Sequence, residues 1–320
     1  MSVFLGVDTS NYTTSAAIYD SSSGKVISKK RLLPVEDNAV GLMQSKALFY
    51  HTKQLPDVIN AAFEEYYKSG GKRDDVKAVC VSSRPRNVDG SYMPVFLAGV
   101  SAANAVAAAL NVPCYETAHQ VGHVLAALYS ANRLELVHER FLAFHVSGGT
   151  TEALIVSPND SEIIKCEIAA QSLDLKAGQA IDRIGVMMGL HFPAGAMLDK
   201  LAQNGTLNSK PKPTLKGADC CLSGLENICK KMYDGGESNE NVARFAVEYV
   251  YHTIAAMSER LTEKYGALPF VYAGGVMSNS IISERLGKKG GIFALPEFSS
   301  DNAVGVAIAA KMFYQKYKEC

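Results

Sequence analysis

Residues 144–152 read Phe-His-Val-Ser-Gly-Gly-Thr-Thr-Glu. An apolar segment precedes the two glycines, and a segment of residues that favour β-strands follows them. The pattern predicts strands at Leu142–Val146 and Ala153–Val156 joined by a tight turn. Consecutive glycines expose backbone N–H groups with no Cβ in the way, which lets a phosphate or a carboxylate come close. A Gly-Gly pair also builds hairpin turns without any ligand. Both interpretations of Gly148 and Gly149 therefore stay open.

The same strand–turn–strand pattern opens the chain. Phe4–Asp8 and Ser15–Tyr19 are predicted strands around the polar turn Asp-Thr-Ser-Asn-Tyr-Thr-Thr, where the second half has Ser-Gly-Gly-Thr-Thr. A third strand follows in each half, at Val26–Leu32 and at Glu162–Ile168, and helices then alternate with strands. Two facing copies of one α/β unit explain this order better than a chance likeness of two hairpins.

We therefore expect two lobes, residues 1–138 and residues 139–320, with the option that a closing helix at 301–317 packs back onto the first. Apolar spacing predicts the remaining elements. These are helices at Met43–Tyr67, Met93–Leu110, Gln179–Gly189, Val242–Tyr265 and Asp301–Tyr317, and strands at Val79–Ser82 and Phe270–Ala273. The segment Asn204–Gly217 contains two prolines and several lysines, and it is predicted to be a loop and a candidate mobile flap.

Composition favours a reduced, cytoplasmic protein. Lys+Arg and Asp+Glu both number 32 in 320 residues, so the net charge is zero and gives no general attraction to nucleic acid or membrane. Such binding would need a local patch or a partner. The seven cysteines form no C-x-x-C pair, and the apolar run before Asp8 is too short for a signal peptide. The longest apolar stretch, Val95–Val112, carries polar residues and predicts a buried helix, not a membrane span.

Two histidines, His119 and His123, are spaced for one metal ion. If His119 opens a helix that runs to Ala131, both imidazoles lie on one face, one turn apart, and can reach the same ion. H-x-x-x-H alone is more often two polar residues near a helix start. A zincin protease needs Glu where this chain has Gln120, so proteolysis is not expected.

Three further turns carry polar side chains whose roles the sequence leaves open. After two glycines, Ser278 or Asn279 can cap the next helix, and Asn279 can hydrogen-bond a ring or ribose lying against the glycines. Asp182 either holds a ribose hydroxyl or is a solvated charge, near the tight turn that ends at Gly195. Asp301 is either an ordinary acid at a helix start or a carboxylate ligand, and taken alone the first is commoner.

The order of these motifs resembles one family along nearly the whole chain. The series is Leu-Gly-Val-Asp-Thr-Ser, His-Gln-Val-Gly-His, Val-Ser-Gly-Gly-Thr-Thr, Ala-Gly-Gln-Ala-Ile-Asp, Phe-Pro-Ala-Gly, Leu-Ser-Gly-Leu, Ala-Gly-Gly-Val-Met-Ser-Asn and Ser-Asp-Asn. It is similar to that of the TsaD-like transferases, once labelled glycoproteases, which make N6-threonylcarbamoyladenosine on tRNA. The resemblance implies two duplicated actin/hexokinase-like (ribonuclease H-like) α/β lobes with a cleft between them.

The resemblance also implies a site. One divalent ion, iron or zinc, would be held by His119, His123 and Asp301 beside an adenine nucleotide (threonylcarbamoyl-AMP, ATP or AMP). The adenosine amine would attack the carbamoyl carbon and release AMP. The matching nucleotide positions are His145, Val146, Ser147, Gly148, Gly149, Asp182, Gly195 and Asn279. His145 could instead be a fourth metal ligand or a core histidine. No catalytic residue is identified, and Asp8 is the one candidate.

The chain departs from the family on the acceptor side. Asn-Tyr-Thr at residues 11–13 replaces a Cys-Asp-Glu run, Ser-Arg-Pro-Arg-Asn at residues 83–87 replaces a Gly-Pro-Gly loop, and Thr150 replaces a histidine. These departures leave the acceptor open between tRNA and another molecule. If the acceptor is tRNA, we expect the transfer to require partner proteins, with same-fold and ATPase subunits as the candidates. A non-catalytic partner subunit of the same fold and a small-molecule kinase of the same superfamily stay as alternatives.

Overall fold

The computed structural model describes residues 1–10, 12–34, 42–207, 209–299 and 302–318. These residues form twelve strands and nine α-helices. The strands are β1 (Val3–Asp8), β2 (Thr13–Asp20), β3 (Val26–Leu32), β4 (Val76–Arg84), β5 (Cys114–Ala118), β6 (Phe141–Val146), β7 (Thr151–Asn159), β8 (Ile163–Gln171), β9 (Thr214–Lys216), β10 (Asp219–Cys221), β11 (Phe270–Ala273) and β12 (Ile292–Phe293). The helices are α1 (Gln44–Lys68), α2 (Phe96–Leu110), α3 (His119–Ser130), α4 (Ala177–Met187), α5 (Gly195–Asn204), α6 (Ser223–Asp234), α7 (Asn239–Tyr265), α8 (Ser280–Gly287) and α9 (Val304–Lys318).

The first of two compact units comprises Met1–Val137, Ser157–Cys166 and Ser300–Cys320. Its sheet has the order β3-β2-β1-β4-β5, in which β1 is antiparallel to β2 and parallel to β4. Alternate residues of β1 face opposite layers, as the two-residue period of a strand requires. Leu5 and Val7 join the apolar cluster under α1 and α2, whereas Phe4 and Gly6 meet α9. The central strand is therefore covered by helices on both faces.

The second unit comprises His138–Val156 and Glu167–Ser299. Its sheet reads β12-β11-β6-β7-β8, with β6 antiparallel to β7 and parallel to β11. Reversed, this order matches that of the first sheet strand for strand, including the parallel and antiparallel pairs around the central strand. The two sheets therefore support the predicted duplication. Helix α7 carries much of the core of this unit, with fourteen buried residues.

The predicted helices and strands are present, with ends that differ by at most three residues where the structure describes them. The prediction of a continuous loop at Asn204–Gly217 was wrong in part. Asn204 ends α5, and Thr214–Lys216 forms β9. This strand pairs with β10, whose middle residue, Cys220, is buried. The sequence patterns did not predict β5, β9, β10, β12, α5 or α6, and only the cap expected at Ser278 or Asn279 pointed to α8. Across the described residues, no helix combines the length and apolar character that crossing a bilayer requires.

Candidate metal and nucleotide site

A buried carboxylate lies at the centre of the first unit. Asp8 ends β1 and is fully shielded from solvent. Its Oδ2 accepts a hydrogen bond from Ser10 Oγ at 2.6 Å, and its Oδ1 accepts one from Ser82 Oγ on β4. His119 Nδ1 lies 3.1 Å from the same Oδ1. The parallel register of β1 and β4 brings Asp8 and Ser82 to the same sheet edge, where α3 begins.

Burial is the largest influence on Asp8, and it raises the pKa of that carboxyl. The charge and hydrogen bond of His119, followed by the hydroxyls of Ser10 and Ser82, outweigh it, so the pKa lies below its ordinary value. Position at the N-terminus of α3 favours the same ionised form. Asp8 is therefore a carboxylate whose oxygens are engaged by neighbours, which suits an orienting group better than a general base.

The two histidines predicted as metal ligands are brought together. His119 is the first residue of α3, as expected, and the centroids of its ring and that of His123 lie 4.3 Å apart with the rings nearly perpendicular. An imidazole that is hydrogen-bonded to a carboxylate through Nδ1 presents Nε2 to a metal, a common outer-shell arrangement. The pairing of Asp8 with His119 fits that arrangement.

The start of α9 approaches the histidine pair through glycines. A Cβ added to Gly305 would lie 1.8 Å from the carbonyl oxygen of Gly122, the residue before His123. Such close helix contact requires glycine at the crossing. Asp301, the predicted third ligand, lies outside the described residues. Within those residues, no group of three or more His, Cys, Asp or Glu side chains is placed to hold a metal ion.

In the second unit, the glycine turn after β6 is closed by its own hydrogen bonds. Ser147 N donates to Thr150 O at 2.7 Å, and Thr150 N donates to Ser147 Oγ at 3.2 Å. Gly148 and Gly149 are exposed, and open space surrounds the position of a Cβ on either residue. Hairpin geometry and an open backbone edge therefore occur together. The two interpretations of this turn are compatible.

The other predicted nucleotide positions lie around the same turn. Gly178 N donates to Ser147 O at 3.1 Å, and a Cβ on Gly178 would lie 2.6 Å from Gly148 N. On the other side, Val276 N donates to Val146 O at 3.1 Å. The N-terminus of α4 and the glycine turn after β11 thus flank the residues that follow β6.

Two carboxylates complete a ring of contacts. Asp182, one helical turn after Gly178, accepts a hydrogen bond from Ala194 N at 2.8 Å, directly before Gly195. Asp199, one turn after Gly195, accepts hydrogen bonds from Ser280 N at 3.1 Å and Ser280 Oγ at 2.8 Å. Helices α4, α5 and α8 therefore begin around one patch of the second unit, and helix N-termini favour anions.

Asp182 and Asn279 each have a structural contact, and only the contact of Asp182 had no signal in the sequence. Asp182 fastens the turn before α5. Asn279 is 8% exposed, and its side chain caps α8 by accepting hydrogen bonds from Ile281 N and Ile282 N. The capping interpretation of Asn279 is therefore confirmed. A ribose or ring contact from either residue remains a prediction, as does the role of His145, which is half-buried at the end of β6.

In the sequence, the loop after β4 stands out only as a departure from the family that the chain resembles. Pro85 O accepts a hydrogen bond from Gln120 N at 3.1 Å, so this loop lies against the start of α3, next to His119. Arg84 forms an ion pair with Glu162. The Nδ2 and Oδ1 atoms of Asn87 are buried and have no hydrogen-bond partner in the described structure. The sequence held no signal for such an amide.

Several solved structures share this fold. Component A of (R)-2-hydroxyglutaryl-CoA dehydratase from Acidaminococcus fermentans matches with a TM-score of 0.55 at 12% identity, over 98% of this chain and 100% of that one. HypF from T. kodakarensis matches with a TM-score of 0.61 at 13% identity, over 99% of this chain and 48% of that one. A ROK family glucokinase from Streptomyces griseus matches with a TM-score of 0.51 at 15% identity, over 97% and 99%. These likenesses confirm the actin/hexokinase-like fold class.

One family model covers most of the chain. The model of TsaD, tRNA N6-adenosine threonylcarbamoyltransferase, matches residues 35–308. The match includes the histidine pair, the glycine turn after β6, Asp182, Gly195 and Asn279. This match over most of the chain identifies the protein at the level of family: the chain belongs to the TsaD family.

Proposed function

We propose that this chain is a transferase that moves a threonylcarbamoyl group from threonylcarbamoyl-AMP to N6 of an adenosine, with tRNA as the acceptor molecule. The family match over residues 35–308 carries the proposal. The sequence alternatives, a non-catalytic partner subunit and a small-molecule kinase, are not favoured by that match. A paralogous carbamoyl transfer to another acceptor would use the same donor site.

His119, His123 and Asp301 are the proposed ligands of one divalent metal ion. Two imidazoles and a carboxylate form a donor set that suits iron or zinc. Asp301 is included because its Ser-Asp-Asn motif matches the family series. When bound, such an ion would act as a Lewis acid toward the phosphate or carbamoyl oxygens of the donor. Asp8 would orient the ring of His119.

The proposed nucleotide site is the ring of contacts in the second unit. The N-terminus of α4 and the open backbone of Gly148 and Gly149 would bind the phosphate. Asp182, Gly195 and Asn279 would bind the adenosine end of the donor. We keep His145 as a further contact of this nucleotide or a fourth metal ligand. Holding the donor rigidly supplies the proximity that a two-substrate transfer needs.

The proposed transfer forms one bond and breaks one bond. The lone pair of the acceptor N6 forms a bond to the carbamoyl carbon, and the bond between that carbon and the phosphate oxygen breaks. AMP leaves with the electron pair on its phosphate. One N6 proton is lost to solvent. Asp8, already engaged by Ser10, Ser82 and His119, is assigned an orienting role in this step and not the removal of that proton.

A cell that lacks this gene provides the test. The proposal expects its tRNA to lose N6-threonylcarbamoyladenosine, measured by mass spectrometry of digested tRNA, and expects the wild-type gene to restore it. An unchanged level, in a cell with no second family member, would exclude tRNA as the acceptor. Restoration by a His119→Ala, His123→Ala double variant would exclude catalysis at the proposed metal.

A further inference from the structure

The loop after β4 lies beside the proposed reaction site. Ser82, two residues before the end of β4, donates a hydrogen bond to Asp8. Pro85 O accepts a hydrogen bond from Gln120 N, the neighbour of His119. Within the loop, Arg86 N donates to Ser91 Oγ at 3.1 Å, which closes the turn around Asn87. The position of Asn87 is therefore fixed by the same strand and helix that hold Asp8 and His119.

The Oδ1 and Nδ2 atoms of the Asn87 carboxamide are both buried, and neither has a hydrogen-bond partner among the described residues. Native structures satisfy most buried side-chain polar atoms, and each exception calls for an explanation. The neighbouring residues Val88, Asp89 and Gly90 are exposed, so an amide in this loop had solvent within reach. An amide left in this state carries a desolvation cost, and a ligand group that hydrogen-bonds both of its ends would remove that cost.

We propose that Asn87 recognises the adenine of the acceptor and so determines acceptor specificity. An asparagine amide offers one donor and one acceptor side by side, which match N7 and the N6 amine of adenine. Guanine presents two acceptors on the same edge and leaves one end of the amide unmatched. This inference rests on the proposed function, which places an adenosine N6 at the site.

The contact would also position the nucleophile. The amide oxygen accepts one N6–H hydrogen bond, and the amide nitrogen donates to N7, so the plane of the base is fixed by two bonds. The remaining face of N6 is then presented to the carbamoyl carbon. Asn87 makes no bond to the donor nucleotide in this scheme. Donor binding and acceptor selection are therefore separable.

The test compares Asn87→Leu with Asn104→Leu, a matched control. Asn104 is exposed on α2, and its amide donates to Val100 O within the same helix. Each protein is titrated, by fluorescence anisotropy at low salt, with an RNA hairpin carrying one unpaired adenosine. The same hairpin with 7-deazaadenosine lacks the N7 acceptor and serves as the second probe. Melting temperature and ATP binding are measured on the same samples.

We expect wild type and Asn104→Leu to prefer the adenosine hairpin by about tenfold, the discrimination of one good bidentate pair. Asn87→Leu should lose the preference, retain ATP binding and melt about 2–4 °C higher, because an uncompensated polar group has been removed. A retained preference in Asn87→Leu or Asn87→Ala overturns the inference. So does a lower melting temperature, since it means that the amide has a structural partner, and so does equal binding of both hairpins by wild type.

Failure of the inference and failure of the proposed function are distinguishable. ATP binding and the loss of modified tRNA in cells report on the transferase proposal alone. A chain that binds ATP and restores the modification, yet shows no effect at Asn87, is a transferase that selects its acceptor elsewhere. Adenosine preference that depends on Asn87, without modified tRNA, supports an adenine acceptor other than tRNA.

Discussion

The chemistry of Asp8 depends on neighbours that are remote in sequence. Asp8 was the one catalytic candidate identified from the sequence. The sequence indicated no hydrogen-bond partner for its carboxylate outside the turn that contains it. Ser82 and His119 reach it from β4 and α3, 74 and 111 residues away. Their hydrogen bonds support the orienting role that we propose for Asp8. The pairing of β1 with β4 brings Asp8 beside Ser82, and the pairing of β4 with β5 brings in His119, which follows β5 directly.

The histidine pair provides a direct test of the metal proposal. His119→Ala or His123→Ala should remove most of the divalent metal bound per chain, because each change deletes one imidazole from a site with few ligands. Elemental analysis of purified protein measures the content. His138→Ala, an exposed histidine, is the control and should retain full metal. A fully loaded His119→Ala, His123→Ala double variant would disprove the site.

Asp182 is expected to affect both nucleotide binding and stability. Asp182→Ala removes the acceptor for Ala194 N, and a hydrogen bond to a charged group is worth about 1.5–3 kcal/mol. We expect ATP or AMP to bind at least tenfold more weakly by calorimetry, with a lower melting temperature. Asp234→Ala, which breaks only an exposed pair with Lys230, should change neither. Unchanged affinity would remove Asp182 from the site.

At the scale of elements, the crossing of α3 and α9 is set by glycine. Gly305→Ala places a Cβ against the Gly122 carbonyl, and overpacking of this kind costs about 1–3 kcal/mol, occasionally more. We expect lower stability in urea and weaker metal binding, because the start of α9 must move. Gly224→Ala on α6 is the control, since its Cβ would enter open space. Equal stability of the two variants would mean that the crossing adjusts without cost.

Helix α7 contains a titrating group whose effect has a definite sign. Burial is the main cause that lowers the pKa of His252, and the charges of Arg285, Lys210 and Lys289 add to it against Glu248. Below the ordinary value of 6.5, the unfolded chain therefore binds a proton that the folded chain does not. The free energy of unfolding should fall as pH drops through 6.5. In the His252→Gln variant, the free energy of unfolding measured by denaturant titration should fall less steeply with pH. Parallel pH curves for the variant and the wild type would contradict this.

For the molecule as a whole, we expect the isolated chain to modify tRNA poorly even with donor supplied. Its net charge is zero, and RNA affinity comes largely from neutralised phosphates. Acidic residues of the family are also replaced at Tyr12 and Thr13, and general-base help is typically worth about 10²–10⁴ in rate. The assay measures modified adenosine with the chain alone and then with candidate same-fold and ATPase partners. Rapid modification by the chain alone would contradict the expectation.

The sequence predicted the fold better than the site. Period and turn chemistry identified the long helices and the paired strands, and the two similar openings predicted the duplication that the sheet orders support. Contacts between distant segments could not be predicted in this way. The bond from Asp182 to Ala194, the approach of Gly305 to Gly122 and the buried amide of Asn87 depend on packing that leaves no local pattern. Short elements such as β12 also lack enough residues to show a period.

The position of α9 determines the order in which the two units can finish folding during synthesis. Proteins leave the ribosome from the N-terminus, and domains generally fold as units in that order. Here α9 covers β1, where a Cβ on Gly6 would lie 2.3 Å from Ala307 N, yet α9 is translated after the whole second unit. Until then one face of the first sheet lacks its cover. The unit that is translated first is therefore finished last, and its uncovered strands are a surface that nascent-chain chaperones would bind.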